Sequence, residues 1–360
     1  MRIILLVTGI VLSLALGLQT HAFGIFETAE TAELANLTDE SLPIVKKSIT
    51  LNTGIRMKYV EAGNPNGRTL LFLHGYTDTS RSFEKVIETL LKKDPGLRLI
   101  APNLRGHGES SIPNPSNSNA FGIDDFAADI LDFMKLKKIA KVDLIGHSMG
   151  SVIAQEIALE HPNKVTSLTM IGAFVNGKKN NAIQDFLMPE LIAKWKQQLK
   201  HDFGKDWKIE SFHLTPKDLG TKVTSFLREN WVTEADCDTS LLESIYLETI
   251  EVPLATWFGA LEALSEMDNS ERMKRLKVPA QIIWGAGDDF TSKSDQDRLR
   301  SACEAAYKRN ATPIQYKNYN GDGIGNNLPG HNLHWANAEK VALDILEFFG
   351  SESPFIAEVK

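Results

Sequence analysis

Two cysteines, Cys237 and Cys303, are too few among 360 residues for a disulfide scaffold or a thiolate-built zinc or iron–sulfur centre. Positive charge is not in surplus either. Lys and Arg number 39 against 46 Asp and Glu, a formal charge of −7, which argues against a general nucleic-acid binder. The nine histidines are scattered and form no H-E-x-x-H, and His107-Gly108-Glu109 has no third ligand near it, so no metal site is expected. The Gly-rich loop Asn103–Ser110 has neither the lysine spacing of a phosphate cradle nor a G-x-G-x-x-G series, so no nucleotide cofactor is expected. Internal repeats and low-complexity segments are absent as well.

Only one long apolar run occurs. Ile3 to Leu18 is interrupted by Thr8, Gly9, Ser13 and Gly17, follows Arg2, and precedes the small-x-small site Thr20-His21-Ala22. That layout predicts a secretory signal peptide over residues 1–22 and an exported, periplasmic or secreted, protein. The run is shorter than the about 20 residues of a bilayer span, so no membrane span is expected once it is removed; a retained anchor is the alternative. In an oxidising compartment Cys237 and Cys303 can pair or remain buried free thiols, and both readings stay open.

What remains has the balance of a globular protein, 42% apolar and 24% charged. Residues 23–46 are polar and aperiodic and read as a lead-in arm. Ser48–Leu51 and Met57–Val60 alternate apolar and polar, as half-buried antiparallel strands do. Thr69–Leu73 is continuously apolar, the mark of a strand covered on both faces. Helix-spaced and strand-like segments then alternate: Phe83–Lys93, Leu97–Ala101, Ile123–Leu136, Val142–Ile145, Val152–Leu159 and Val165–Ile171. The alternation resumes at Ala280–Trp284 and continues through a helix near Gln296–Lys308, a strand at Pro313–Tyr316 and a helix at Ala338–Phe349. This order requires an α/β fold with a mostly parallel sheet and helices on both faces. Residues 47–172 and 276–360 form the two parts of that core. Residues 173–275 interrupt it with a helical, tryptophan-rich stretch (Trp195, Trp207, Trp231, Trp257) that reads as an inserted lid.

Chemistry concentrates where strands end. Gly146-His147-Ser148-Met149-Gly150 lies between a strand and a helix, the setting in which a sharp turn can project a serine hydroxyl. The flanking glycines, Gly146 and Gly150, let strand and helix approach closely. A serine needs a base, and the base an orienting acid. Asp288 follows the strand ending at Trp284, and His331 follows the last strand. Ser148, Asp288 and His331 are therefore the candidate catalytic residues; Asp289 is a competing acid and His334 a competing base. His74-Gly75-Tyr76 closes another buried strand, and the N–H groups of Tyr76 and Met149 are the candidate oxyanion hole. His74 and Gly75 support that loop, Arg105 anchors its neighbour, and His147, Trp257 and His334 are expected to line the substrate pocket.

In this combination and order, His74-Gly75, Arg105–Gly108, Gly146–Gly150, Trp284–Asp288 and Gly330-His331 resemble the α/β-hydrolase superfamily, and within it the serine hydrolases with a helical cap. The resemblance spans about Ser48 to Phe349. It implies an eight-stranded sheet, cofactor-free hydrolysis through an acyl-serine, and a cap that shapes the acyl pocket. Two departures stand out. Ala336 and Ala338 occupy places where similar sequences often carry glutamate and proline, and Asn318–Pro329 makes a long Gly/Asn-rich approach to the histidine. Ser148 sets the chain apart from relatives with an aspartate nucleophile, the haloalkane dehalogenases and epoxide hydrolases. The expected substrate is a small ester, lactone or thioester. The same triad could instead cleave C–C, amide or imino-peptide bonds or perform perhydrolysis, and a third reading is a non-catalytic binding protein of the same fold.

Overall fold

The computed structural model describes residues 44–116, 120–320 and 328–350, and the backbone of 356–359. The expected signal peptide and nearly all of the lead-in arm lie outside these residues. The arm's last three positions do not: Ile44 precedes the first strand, and Val45 and Lys46 open it.

One sheet organises the molecule. Its strands are β1 (Val45–Thr50), β2 (Arg56–Gly63), β3 (Thr69–Leu73), β4 (Arg98–Pro102), β5 (Val142–His147), β6 (Val165–Ile171), β7 (Ala280–Gly285), β8 (Ile314–Tyr319) and β9 (Ile356–Val359). They lie in the order β1-β2-β4-β3-β5-β6-β7-β8-β9. β2 runs antiparallel to both β1 and β4, and every later pairing is parallel. The eight expected strands are therefore present, with β9 added at the far edge beside β8.

The continuous apolar runs account for the interior. Side chains of a strand alternate between faces, so Leu71, Leu73, Leu144, Leu168 and Met170 fall into one core cluster. Their neighbours Leu70, Phe72, Ile145 and Ile171 fall into the other. The first face is covered by α2 (Ile123–Leu136) through Phe126, Ile130 and Phe133, and by α3 (Met149–Glu160) through Ile153 and Ile157. The second is covered by α1 (Glu84–Lys93) and by the last helix, Ala338–Gly350. In α1 the spacing of Val86, Ile87, Leu90 and Leu91 makes one buried stripe. Each such side chain contributes about 1.5–3 kcal/mol when fully buried.

Between β6 and β7 the chain is helical and has no named strand. Ala182–Ile192 has widened helical turns and contains Pro189, whose ring removes a backbone donor. It runs directly into α4 (Ala193–Phe203). Further helices follow at Thr239–Thr249 and Leu254–Glu266. Cys237 and Cys303 are both free thiols, Cys303 buried. No described helix is long and apolar enough to cross a membrane.

Candidate active site

The turn between β5 and α3 is strained at one residue. Ser148 has φ 50° and ψ −118°, outside the ordinary regions for an L side chain. Glycine is required on either side for space. A Cβ at 146 would stand 2.4 Å from the Gly150 carbonyl oxygen, and one at 150 would stand 2.0 Å from that of Leu73. The chain therefore turns tightly enough to lift the Ser148 hydroxyl from the end of the sheet into a cavity.

The loops after β7 and β8 bring the two partners to it. His331 Nε2 lies 2.9 Å from Ser148 Oγ, and His331 Nδ1 lies 2.9 and 3.0 Å from the two carboxylate oxygens of Asp288. With Asp288 ionised, Nδ1–H is the donor to the carboxylate and Nε2 accepts from the serine hydroxyl. Asp288 is further fixed by the N–H groups of Phe290 (2.9 Å) and Thr291 (2.7 Å) and by the Thr291 hydroxyl. Asp289, the competing acid, is exposed.

Electrostatics favour this arrangement. Burial opposes charge on both partners. For Asp288 it pushes the pKa up, but the His331 charge and hydrogen bond and the Thr291 donors outweigh it, and the net direction is down. For His331 burial pushes the pKa down, while Asp288, with help from Asp78 and Glu234, turns the net direction upward.

Tyr76 lines the same cavity as Ser148, and Met149 is the first residue of α3. Among the described hydrogen bonds, neither the Tyr76 nor the Met149 N–H has an acceptor. The Met149 N–H belongs to the open amino end of a helix, where backbone donors have no acceptor within the helix.

The loop that carries Tyr76 is held by two neutral histidines. His74 Nδ1–H donates to Gly75 O, while Nε2 accepts the Leu104 N–H, both at 2.9 Å. His107 donates from Nδ1 to Arg105 O and accepts the Thr77 N–H at Nε2. Burial drives their pKa values down, to about 4 for His74 and about 3 for His107. Gly75 leaves room for its neighbours, since a Cβ there would lie 2.7 Å from His147 Nδ1. Arg105 fixes the next loop with a bidentate pair to Asp129, both contacts at 2.7 Å.

The expected pocket residues divide. His147 lines the cavity and donates from Nε2–H to the His331 carbonyl oxygen at 3.0 Å. Trp257 does not line it. Its ring is fully buried against Tyr76, Trp195 and Trp231, where it props the wall from behind. His334 is also buried behind the site, 2.9 Å from Ser82 Oγ, with its ring tilted against those of His147 and Phe83. Desolvation holds its pKa well below the ordinary histidine value, and among the described hydrogen bonds Ser148 Oγ pairs with His331 and not with His334.

Three residues near the site escape sequence reasoning. Asp78 lines the cavity and lies 3.6 Å from His147 Nδ1; its place three residues after His74-Gly75 was the available cue. Trp231 lines the cavity too. Glu234 accepts hydrogen bonds from the N–H groups of Gly330 and Asn332. Composition places Trp231 in the lid without showing that it faces the cavity, and no local pattern marks Glu234, whose partners lie about a hundred residues away.

The cavity, about 620 Å³ including its open mouth, is lined mainly by Phe174, Ile183, Leu187, Trp231, Leu261 and Phe290 around the polar group of Ser148, His331 and Asp78. No lysine or arginine lines it.

Comparison with known proteins gives the family of the chain. Lipase 3 of Moraxella sp. (strain TA144) is 25% identical over 253 residues, 66% of this chain and 76% of its own. Epoxide hydrolase 3 of Siraitia grosvenorii is 30% identical over 265 residues, 67% of this chain and 80% of its own. Among solved structures, an esterase from Exiguobacterium antarcticum superposes with a TM-score of 0.63 at 17% identity, over 85% of this chain and 100% of its own, a likeness of fold. The family model for the alpha/beta hydrolase fold matches residues 68–313, more than half of the sequence, and the chain therefore belongs to the alpha/beta-hydrolase family and is a hydrolase.

Proposed function

We propose that the protein is a serine hydrolase that cleaves small carboxylic esters with an apolar acyl side through an acyl-serine intermediate. The observation that carries this reading is the unbroken chain Asp288–His331–Ser148, opening into a cavity with apolar walls and no fixed positive charge. His331 takes the Ser148 proton as Oγ attacks the ester carbonyl. The oxygen that becomes negative is received by the N–H groups of Tyr76 and Met149. The imidazolium, stabilised by Asp288, then protonates the departing alcohol. In the second half, water gives a proton to His331 as its oxygen bonds to the acyl carbonyl carbon, the acyl C–Oγ bond breaks to release the acid, and His331 returns the proton to Ser148 Oγ. The helical stretch 173–275 acts as the cap, since Ile183, Leu187, Trp231 and Leu261 from it form much of the acyl wall.

The lipase and the esterase among the similar proteins support ester chemistry. The epoxide hydrolase does not redirect it. In the resemblance described above, those enzymes carry an aspartate where this chain has Ser148.

The test is a series of p-nitrophenyl esters of increasing acyl length, with wild type beside Leu187→Trp. Filling the cavity at Leu187 is expected to lower kcat/KM for an octanoate about tenfold or more, while the acetate changes by less than about threefold. Equal losses on both esters would place the acyl group elsewhere. Absence of wild-type turnover on every ester would end the ester reading.

A further inference from the structure

Four consecutive residues of the helical stretch, Trp231 to Glu234, reach all three loops of the site. Trp231 Nε1 donates to Thr77 Oγ1 at 2.9 Å, next to Tyr76, and its ring packs edge-on against Phe290 with centroids 5.4 Å apart. The Thr233 carbonyl accepts from Asn332 Nδ2 at 3.1 Å. Glu234 straddles the histidine. One carboxylate oxygen accepts the Gly330 N–H at 2.7 Å and the other accepts the Asn332 N–H at 2.9 Å. The fit is close, since a Cβ at Gly330 would lie 2.9 Å from the carboxylate.

This use of a carboxylate is informative because it has a cost. Burial raises the pKa of Glu234 against the pull of its two N–H donors and His331, and a desolvated acid is tolerated only where hydrogen bonds compensate. Here both of its described hydrogen bonds go to the histidine loop, and neither goes to the helical stretch that carries Glu234. On the opposite side, His147 holds the His331 carbonyl. The peptide around the base is therefore gripped from the core at its carbonyl and from the helical stretch at its flanking N–H groups.

We infer that Glu234 is a positioning residue, a latch that ties the His331 loop to the helical stretch so that the base is seated against Ser148 when that stretch covers the cavity. The inference rests on the reading of His331 as the base of an ester hydrolase. It assigns the cap a part in assembling the triad in addition to shaping the acyl wall.

The test uses the full chain and Glu234→Gln, which keeps size but sets an NH₂ against one of the two N–H donors. Two quantities are read: p-nitrophenyl butyrate kinetics, and amide exchange of the peptide containing residues 330–332, followed by mass spectrometry. The expected result is a kcat lower by about 10- to 100-fold with KM changed by less than about threefold, because a base displaced by a fraction of an ångström loses rate more than binding. Exchange at 330–332 should be faster, with exchange in β5 and α3 unchanged. A kcat equal to wild type would overturn the latch, even if the unfolding midpoint fell, since that is the result of a purely structural role. Unchanged exchange at 330–332 would overturn it too. A wild type that neither turns over esters nor is labelled at Ser148 by a fluorophosphonate would instead overturn the ester reading, and the exchange measurement alone would then decide whether Glu234 holds the loop.

Discussion

Replacing Ser148 with alanine is expected to lower kcat for a p-nitrophenyl ester by at least about 10⁴-fold, with KM little changed. Among the described residues, the hydroxyl is the only group in the cavity placed 2.9 Å from a base whose other nitrogen is held by a buried carboxylate. Alanine removes one atom and leaves the cavity wall, the N–H groups of Tyr76 and Met149, and the turn geometry in place. Residual catalysis of about 10³–10⁴ over water is therefore expected from the oxyanion hole and binding alone. The unfolding midpoint should be unchanged, because Ser148 Oγ makes a bond to the catalytic partner and none to the scaffold among the described bonds. Steady-state kinetics with and without the substitution, on protein checked by thermal unfolding, measure both. Equal turnover by both proteins would leave the chemistry without its nucleophile.

A second large effect is expected far from the nucleophile. Arg105→Ala should destabilise the protein by about 3–5 kcal/mol, the cost of stranding a buried charge by removing its partner. Arg105 is 4% exposed and Asp129 is 1% exposed, and the pair is bidentate. Arg105 also donates to the carbonyls of Ala120 and Asp125, and both contacts are lost with it. Activity should fall as well. Arg105 pins the loop whose Leu104 N–H meets His74 and whose His107 meets the Thr77 N–H, and those contacts set the Gly75–Thr77 backbone that carries the Tyr76 amide. Denaturant unfolding gives the stability change; a loss under about 1 kcal/mol would show that Asp129 is compensated by other groups. Arg105→Lys, which keeps the charge and loses the fork, should fall between the two.

Much of this was legible in the sequence, and the pattern of what was not has a physical basis. Strands covered on both faces announce themselves by composition, and Val165–Ile171 and Ile123–Leu136 match the observed elements end for end. Edge strands do not. β1 is almost wholly exposed, so neither face selects apolar residues and Val45-Lys46 reads as part of the arm. β9 is short and lies beyond the last motif. At the site, Ser148, Asp288 and His331 could be proposed because each sits at the carboxyl end of a strand, where chain order alone limits which side chains can meet. Trp257 and His334 were misplaced because an aromatic near a site can face the cavity or stand behind its wall, and sequence carries no sign of which. Trp231 was read only as one of the lid tryptophans, and Glu234 went unnoticed, for the complementary reason: the contacts that matter, to Thr77, Gly330 and Asn332, are made across the fold.

The central claim is that His331, held by Asp288, makes the Ser148 hydroxyl reactive in neutral water. The measurement that tests it most directly is the pH dependence of fluorophosphonate labelling, with the modified residue located by mass spectrometry. Burial and the neighbouring His147 and His334 oppose charge on His331, while Asp288, Asp78 and Glu234 favour it, and the net direction of its pKa is up. The reactive form is the neutral imidazole, so labelling should be suppressed at low pH and rise through a midpoint above the ordinary imidazole value of about 6.5. In Asp288→Asn the raising charge is gone, so that midpoint should move to lower pH and the plateau rate should fall sharply. The account predicts label on Ser148 alone and almost none in His331→Ala. Label at another residue, or a His331→Ala protein that reacts at the wild-type rate, would contradict it.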